Sequence, residues 1–391
     1  MKLVYIANVR IPTEKAHGIQ IFKTCEALVK AGAKLELWLP KRRNVVLANR
    51  DPFEYYGNKN RFPIVRLATF DLIGWLDFLP GLGYWIQAKT FAWSISRKLR
   101  FVESSTIIYS RDIIPLEPVR KAEIQYYYEA HTISKKPNEY QKRIFKGAAG
   151  IVTITKALAE EFAKYVPREK VLIAPDGVDL DNFKFSISNF QTNSKFQIRK
   201  ELGLPEDKKI VMYTGHLYDW KGAAVLLEAA RNIKFPISNI QFVFVGGTDY
   251  DLQKFRESAK GLGNVLIVGQ KPHSEIPKYL AAADVLVLPN SGKFEISRKH
   301  TSPLKLFEYM VAGKPIVASN LPSIREILDD SAGYFAEPDN PESLMQKIVE
   351  CLNNPALAAK RSEKASQEVR EFSWNTRAKR ILDFINSKTT T

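Results

Sequence analysis

The sequence predicts an α/β protein built from two doubly wound domains, and three observations carry that prediction. Short apolar segments alternate with amphipathic stretches along nearly the whole chain, the pattern of parallel strands joined by crossover helices. The alternation occurs twice, with a polar run from Ser186 to Lys200 reading as the linker between the two series. A length of 391 residues with 45% hydrophobic content suffices for two cores of ordinary domain size. The expected domains are residues 1–185 and 186–374.

In the first series, a strand from Lys2 to Ala7 leads through a long turn, Asn8 to His17, into an amphipathic helix from Gly18 to Ala31. Leu35 to Leu39 is the next strand. The turn lacks a GxGxxG fingerprint and the chain has no GxxxxGK[ST], so dehydrogenase and P-loop readings lose ground. Gly18 either lets backbone N–H groups approach an anion at the helix start or is a plain loop glycine. Residues 40–62 are charged and turn-rich, an expected exposed loop. Strands resume at Thr106 to Tyr109 and at Ile124 to Tyr128, followed by Glu129-Ala130-His131. A histidine just past a strand's C-terminal edge sits where open α/β sheets place ligands, the alternative being a loop histidine satisfied by backbone. Gly150 to Thr155, a helix from Lys156 to Tyr165 and Lys170 to Asp179 close the series.

The second series runs through strands at Ile210 to Tyr213, Ile240 to Val245, Val265 to Val268, Asp284 to Leu288 and Ile316 to Ala318. Helices are expected at Ala223 to Ile233, Asp251 to Lys260 and Glu275 to Ala283. The most informative stretch is 300–319. Ser302 suits an N-cap, Pro303 the first helical position and Gly313 the left-handed C′ position, while Pro315 forbids continuation. Leu304, Phe307 and Val311 share one face for packing. Lys305, Glu308 and Tyr309 share another, free for a ligand. A positive helix end with Lys305 beside it suits a phosphate and Glu308 one turn later suits hydroxyls, so an anion plus a polyol points to a nucleotide sugar. Tyr213-Thr214-Gly215-His216-Leu217 and Trp220-Lys221-Gly222 follow the first strand of this domain; Lys221 then adds a second cation for a diphosphate, unless it merely enters a helix.

Ser-Pro-Leu-Lys-Leu-Phe-Glu-Tyr-Met (302–310) and Ala-Gly-Lys-Pro-Ile-Val-Ala-Ser (312–319) resemble the C-terminal signature of the family 4 retaining glycosyltransferases. The resemblance extends to the histidine after a strand (His131), to Pro175-Asp176-Gly177-Val178-Asp179 and to the Phe-Ser-Trp turn at 372–374. It implies the GT-B fold, two Rossmann-like domains facing across a cleft, with the C-terminal helix 375–391 packing back on the acceptor-binding first domain. It further implies that Glu308, second acid of a Glu-x7-Glu motif, holds the ribose, with His300 in place of the first acid. Ser302, Pro303, Leu304 and Lys305 would line the donor site, and His131 would lie beside the transferred sugar. His216 stands where relatives usually carry Arg, the loop Gly269 to Glu275 with Gln270 and His273 would receive the base, and Gly18 would face the diphosphate. For His273 a solvated turn residue is the alternative; for Glu326, which resembles a family glutamate, it is helix N-terminal charge.

No Ser-His-Asp, Cys-His or clean acid pair is recognisable, which suits the family's mechanism in which the donor phosphate helps deprotonate the acceptor. Asp179-Leu180-Asp181 and Asp249-Tyr250-Asp251 spell DxD but follow strands in turns, and no histidine pair has metal spacing, so neither metal nor other cofactor is expected. Cys25 and Cys351 form no CxxC or disulfide framework, indicating a reducing compartment. The N-terminus reads as a strand rather than a signal peptide, and nothing reaches the length of a membrane span, so a cytoplasmic location is expected. Net charge is +16, with 30 Lys and Arg against 19 Asp and Glu in residues 1–190. Phe70 to Trp85, rich in aromatics but broken by Gly, Pro and Asp, is flanked by Lys41-Arg42-Arg43 and Arg97-Lys98-Leu99-Arg100. It either packs a helix from Trp85 to Leu99 onto the first sheet or inserts shallowly into the anionic inner face of the cell membrane. Nucleic acid is not an expected partner, because the basic residues form no recognisable motif. The function expected is transfer of a sugar from a nucleotide sugar to a glycan or lipid-linked acceptor. The alternatives are a sugar-nucleotide epimerase of the same fold and a non-catalytic nucleotide-sugar-binding module.

Overall fold

The computed structural model describes residues 1–42, 44–76, 78–180, 183, 195–232 and 239–389. The chain divides into two compact units, Met1–Asp176 with Trp374–Thr391, and Gly177–Ser373. The division falls earlier than residue 185 because Val178 and Phe183 are buried in the core of the second unit.

The first unit holds a seven-stranded, wholly parallel sheet: β1 (Lys2–Ile6), β2 (Lys34–Pro40), β3 (Ile64–Leu67), β4 (Ile107–Ser110), β5 (Tyr126–Ala130), β6 (Gly150–Thr153) and β7 (Val171–Ile173). Its order, β3-β2-β1-β4-β5-β6-β7, reverses between β1 and β4, the crevice where doubly wound sheets bind ligands. The edge strand β3 escaped sequence reading because four residues, three half-exposed and Arg66 exposed, give no periodicity. Strand β5 runs two residues further than expected, so Glu129 lies inside the sheet and His131 directly beyond it. Residues 40–62 are not simply an exposed loop. Asp51 caps a short helix, Pro52–Tyr55, through the N–H groups of Phe53 and Glu54, and Phe53 and Phe62 pack on Phe22. Helix Trp374–Thr389 packs on helix Ala16–Lys30, with Phe384 edge-on to Tyr127.

Helix Leu82–Leu99 begins three residues before Trp85, buries one face and exposes another. Phe91, Ile95 and Leu99 enter the core, as the packing alternative requires. The outward face carries Leu82, Trp85 and Trp93 in its first part and Arg97 and Arg100 at its end. Upstream, Trp75 is 83% and Phe78 74% exposed. Asp71 in this stretch is paired with Arg42 at 2.9 Å; Arg43 and Asp77 lie outside the described residues.

The second unit holds β8 (Lys209–Thr214), β9 (Ile240–Val245), β10 (Val265–Gly269), β11 (Val285–Leu288), β12 (Ile316–Ser319) and β13 (Tyr334–Ala336), again all parallel, in the order β10-β9-β8-β11-β12-β13. The reversal lies between β8 and β11. The expected polar linker is corrected in part: Lys195–Leu202 is a helix that buries Ile198 and Arg199, the latter donating to the Ala282 carbonyl and to Asp284. Residues 186–194, with Asp181 and Ile233, lie outside the described residues.

Candidate functional site

The C-terminal ends of β8 and β11 are held together by a tight turn. At Gly222 φ is +71°, and an added Cβ would lie 1.8 Å from the Pro289 carbonyl oxygen, so only glycine fits. The turn brings the Trp220 carbonyl to the Ser291 N–H at 3.0 Å. It also fixes Lys221, whose Nζ lies 3.8 Å from the centroid of the Trp220 ring. Burial brings the Lys221 ammonium down to about 8.

Helix Leu304–Ala312 crosses the same end of the sheet. Pro303, not Ser302, is the N-cap: its extended ψ of 114° excludes it from the helix, and Ser302 is the buried residue before it. The Pro303 carbonyl accepts from the Leu306 N–H at 2.8 Å, so the N–H groups that precede the first intrahelical bond are those of Leu304 and Lys305. Gly313 ends the helix at φ 61°, as expected. Lys305 is 8% exposed and its Nζ has no hydrogen-bond partner among the described residues, lying 3.8 Å from the Tyr213 ring centroid. Burial, reinforced by the charge of Lys221, holds its ammonium well below the usual lysine range, with Glu308 opposing. Half-buried Lys221 and buried Lys305 are thus two cations that repel each other, which is unfavourable until an anion enters between them.

Glu308 Oε1 lies 2.7 Å from His273 Nε2, so the loop after β10 reaches the helix through that pair. His273 also stands against Phe183, ring centroids 5.8 Å apart. The expectation that Tyr309 faces a ligand is corrected: it is fully buried, and its hydroxyl accepts from the Thr214 N–H at 2.9 Å, pinning the helix to β8. The helix is apolar almost all round, so Lys305 and Glu308 are what it offers a ligand, with Leu304 half-buried at its start. His216 stacks on Tyr218 at 4.9 Å, its carbonyl accepting from Tyr213 Oη. Gln270 is exposed beyond β10, while His300 is buried just after helix Glu295–Lys299. Among the described residues, no three His, Cys, Asp or Glu side chains group as a metal site. Asp251 instead accepts from Thr248 Oγ1 at 2.7 Å.

In the first unit, His131 Nε2 lies 2.7 Å from Glu129 Oε1. Glu129 is fully buried, and its carboxylate also meets Tyr109 Oη at 2.6 Å, Gln20 Nε2 and the Arg377 guanidinium at 3.1 Å. Burial alone would raise this carboxyl, but the Arg377 charge with the His131 and Tyr109 hydrogen bonds holds it below the usual range. The placing of Gly18 in the loop or at the helix start is corrected. The helix already starts at Ala16, the Gly18 N–H is taken by the Lys15 carbonyl at 2.9 Å, and an added Cβ would lie 2.2 Å from Tyr56 Oη. Sequence reading missed Glu129, Arg377 and Tyr213; only Glu129, two residues before a strand-end histidine, left a signal there.

Residues 194–368 match the family model of glycosyl transferases group 1. The second unit is a group 1 glycosyltransferase domain. Over 261 residues the chain is 26% identical to the lipopolysaccharide 1,2-N-acetylglucosaminetransferase of Salmonella typhimurium, covering 62% of this chain and 64% of that protein. Over 252 residues it is 23% identical to a D-inositol 3-phosphate glycosyltransferase of Xylanimonas cellulosilytica, covering 62% and 58%. The chain thus spans less than two thirds of these relatives' own length. Among solved structures it resembles Anabaena Alr3699/HepE in complex with UDP, with a TM-score of 0.72, 17% identity and coverage of 99% and 100%. A glycosyltransferase from Rickettsia africae gives a TM-score of 0.75 at 16% identity, with 99% of each chain covered. At these identities the likeness is one of fold, and the fold is GT-B.

Proposed function

We propose that the protein is a retaining glycosyltransferase that moves a sugar from a nucleoside-diphosphate sugar to a hydroxyl of a lipid-linked or cell-envelope glycan. The observation that carries this is the pair of lysines, half-buried Lys221 and buried Lys305, at the strand-order reversal of the glycosyltransferase domain, beside the N-terminal end of helix Leu304–Ala312. A diphosphate is the chemistry that relieves them. It leaves as an anion when the sugar departs, so the lysines stabilise the charge that develops in the transition state. Glu308, held by His273, accepts the ribose hydroxyls. The UDP bound to the Anabaena protein and the lipopolysaccharide acceptor in the Salmonella protein's name support the two substrate classes. With lysines and a helix end opposing the diphosphate, transfer needs no divalent cation.

No helix among the described residues is long and apolar enough to cross a membrane. The exposed Trp75, Phe78, Trp85 and Trp93 with nearby Arg97 and Arg100 support shallow seating on the anionic inner face of the cell membrane, where a lipid-linked acceptor is available.

The test is a panel of nucleoside-diphosphate sugars incubated with lipid-linked and glycan acceptors in excess chelator, with the product's anomeric configuration read by NMR. Transfer with retained configuration is expected. Isomerisation of donor alone would replace this reading with an epimerase, and binding of donor without turnover on any acceptor would replace it with a binding module.

A further inference from the structure

We infer that Glu129 is a positioning residue for His131, fixing the imidazole tautomer and ring orientation, and that Arg377 is the counter-charge that keeps Glu129 able to do so. This rests on the proposed placing of His131 beside the transferred sugar. The four partners of the Glu129 carboxylate differ in one respect. Tyr109 and Arg377 are buried, Gln20 is buried, and only His131 reaches solvent, with 20% of its side chain exposed. A buried ionised carboxylate accepts hydrogen bonds and donates none, so the nitrogen 2.7 Å from it, Nε2, is the one that carries hydrogen. Neutral His131 then presents Nδ1 as an acceptor to whatever occupies the sheet's C-terminal edge. Packing alone would not select a tautomer.

Arg377 explains why the carboxylate stays ionised in a dry sheet. It comes from helix Trp374–Thr389, about 250 residues downstream by the numbering. Its Nε donates to the Ala174 and Pro175 carbonyls at 3.3 and 3.1 Å, and its Nη1 to Thr24 at 3.3 Å. Those bonds fix the guanidinium independently of Glu129. Without it, Glu129 would be an uncompensated buried charge and would take up a proton, becoming a donor that competes for His131 Nε2. The C-terminal helix therefore does more than cover the first sheet: it sets the state of a strand-end histidine through one buried ion pair.

The test uses the full chain with Glu129→Gln, the paired neutral change Glu129→Gln/Arg377→Met, and His131→Ala. Nitrogen-15 NMR of labelled histidine, with His131→Ala assigning the resonance, reads the tautomer without any need for activity. At a pH where the imidazole is neutral, the wild-type protein should show the Nε2–H form, and both Glu129 variants a shift toward the Nδ1–H form. In the transfer assay, turnover should fall on the order of 10- to 100-fold with little change in donor KM, the range felt when the partner orienting a functional histidine is lost elsewhere. In a His131→Ala background the Glu129→Gln change should cost nothing further. The paired variant, which removes both charges, keeps the test valid if Glu129→Gln alone unfolds. An unchanged His131 tautomer in a folded Glu129 variant, or a full additional loss in the His131→Ala background, would overturn the inference. A tautomer that shifts as expected in a protein without transferase activity would uphold it and overturn the proposed function instead.

Discussion

Replacing Lys221 with methionine should make the ligand-free protein more stable and a worse nucleotide binder. The magnitude follows from the site. Burial lowers the ammonium from the usual 10.5 to about 8, which at 1.36 kcal/mol per pH unit is a cost of roughly 3 kcal/mol for holding the charge at neutral pH. The cation sits over the Trp220 ring, and losing that contact takes back about 1 kcal/mol. Methionine keeps the length of the stem, so the net gain for K221M at pH 7 is about 2 kcal/mol, or an apparent melting temperature higher by roughly 4–8 °C. The sign with pH is fixed. The unfolded chain holds the lysine proton more tightly than the folded one, so between about 8 and 10.5 the wild-type protein gains stability as pH rises. The advantage of K221M should therefore shrink to about 1 kcal/mol or less by pH of roughly 9.5. The assay is thermal melting at the two pH values, with and without UDP, GDP and ADP. The wild-type protein should gain about 2.7 kcal/mol from its preferred nucleotide at 100 times the dissociation constant, and the variant much less. A K221M protein that melts below wild type at neutral pH, or that keeps the full nucleotide stabilisation, would refute the account of Lys221 as a desolvated cation waiting for a phosphate.

Two further outcomes are expected. Glu308→Ala should weaken nucleotide binding by about 1.5–3 kcal/mol, as loss of a charged hydrogen-bond partner does, and should abolish discrimination between ribose and deoxyribose nucleotides in calorimetry; retained discrimination would remove Glu308 from the ribose. Co-sedimentation with vesicles should require anionic lipid, weaken with salt, and drop for Trp75→Ser/Phe78→Ser without loss of folding; equal recovery in the supernatant with neutral and anionic vesicles would leave the aromatic face with no lipid role.

The parts of the fold legible in the sequence were those whose local signals agree with the global structure. Gly313 falls in the left-handed position at the end of a helix because nothing larger is as well accommodated there, and the central strand Val285–Leu288 is a continuous apolar run because both its faces are covered. The parts that were not legible depend on contacts distant in sequence. Tyr309 is on the helical face that carries Lys305 and Glu308, yet its hydroxyl serves Thr214, 95 residues away. Lys195–Leu202 is polar enough to read as linker, but Arg199 finds Asp284 and three carbonyls, which allows its burial. Of the candidate site, Lys221, Lys305, Glu308 and His131 could be picked out by position after strands and at a helix end. Arg377 could not, since nothing near it in sequence shows that it faces Glu129.

The two sheets treat charge in opposite ways at the same topological place. In the glycosyltransferase domain, the strand ends carry two lysines whose charges repel each other, and Lys305 Nζ lies over the Tyr213 ring with no hydrogen-bond partner among the described residues. In the first unit, the corresponding edge carries Glu129 with its charge balanced by Arg377 and its oxygens filled by Tyr109, Gln20 and His131. An unbalanced dry cation site gains most from an anion, since each unit of opposite charge removes a desolvation cost already present in the ligand-free protein. A balanced network gains little from a charged ligand and would lose its own pairing to one, but it can hold an imidazole still while a neutral hydroxyl or sugar ring approaches. Under the proposed function the diphosphate belongs to the lysine edge and the acceptor to the His131 edge, which predicts that neutralising Lys305 and unbalancing Glu129 damage different steps: donor affinity in the first case, turnover in the second.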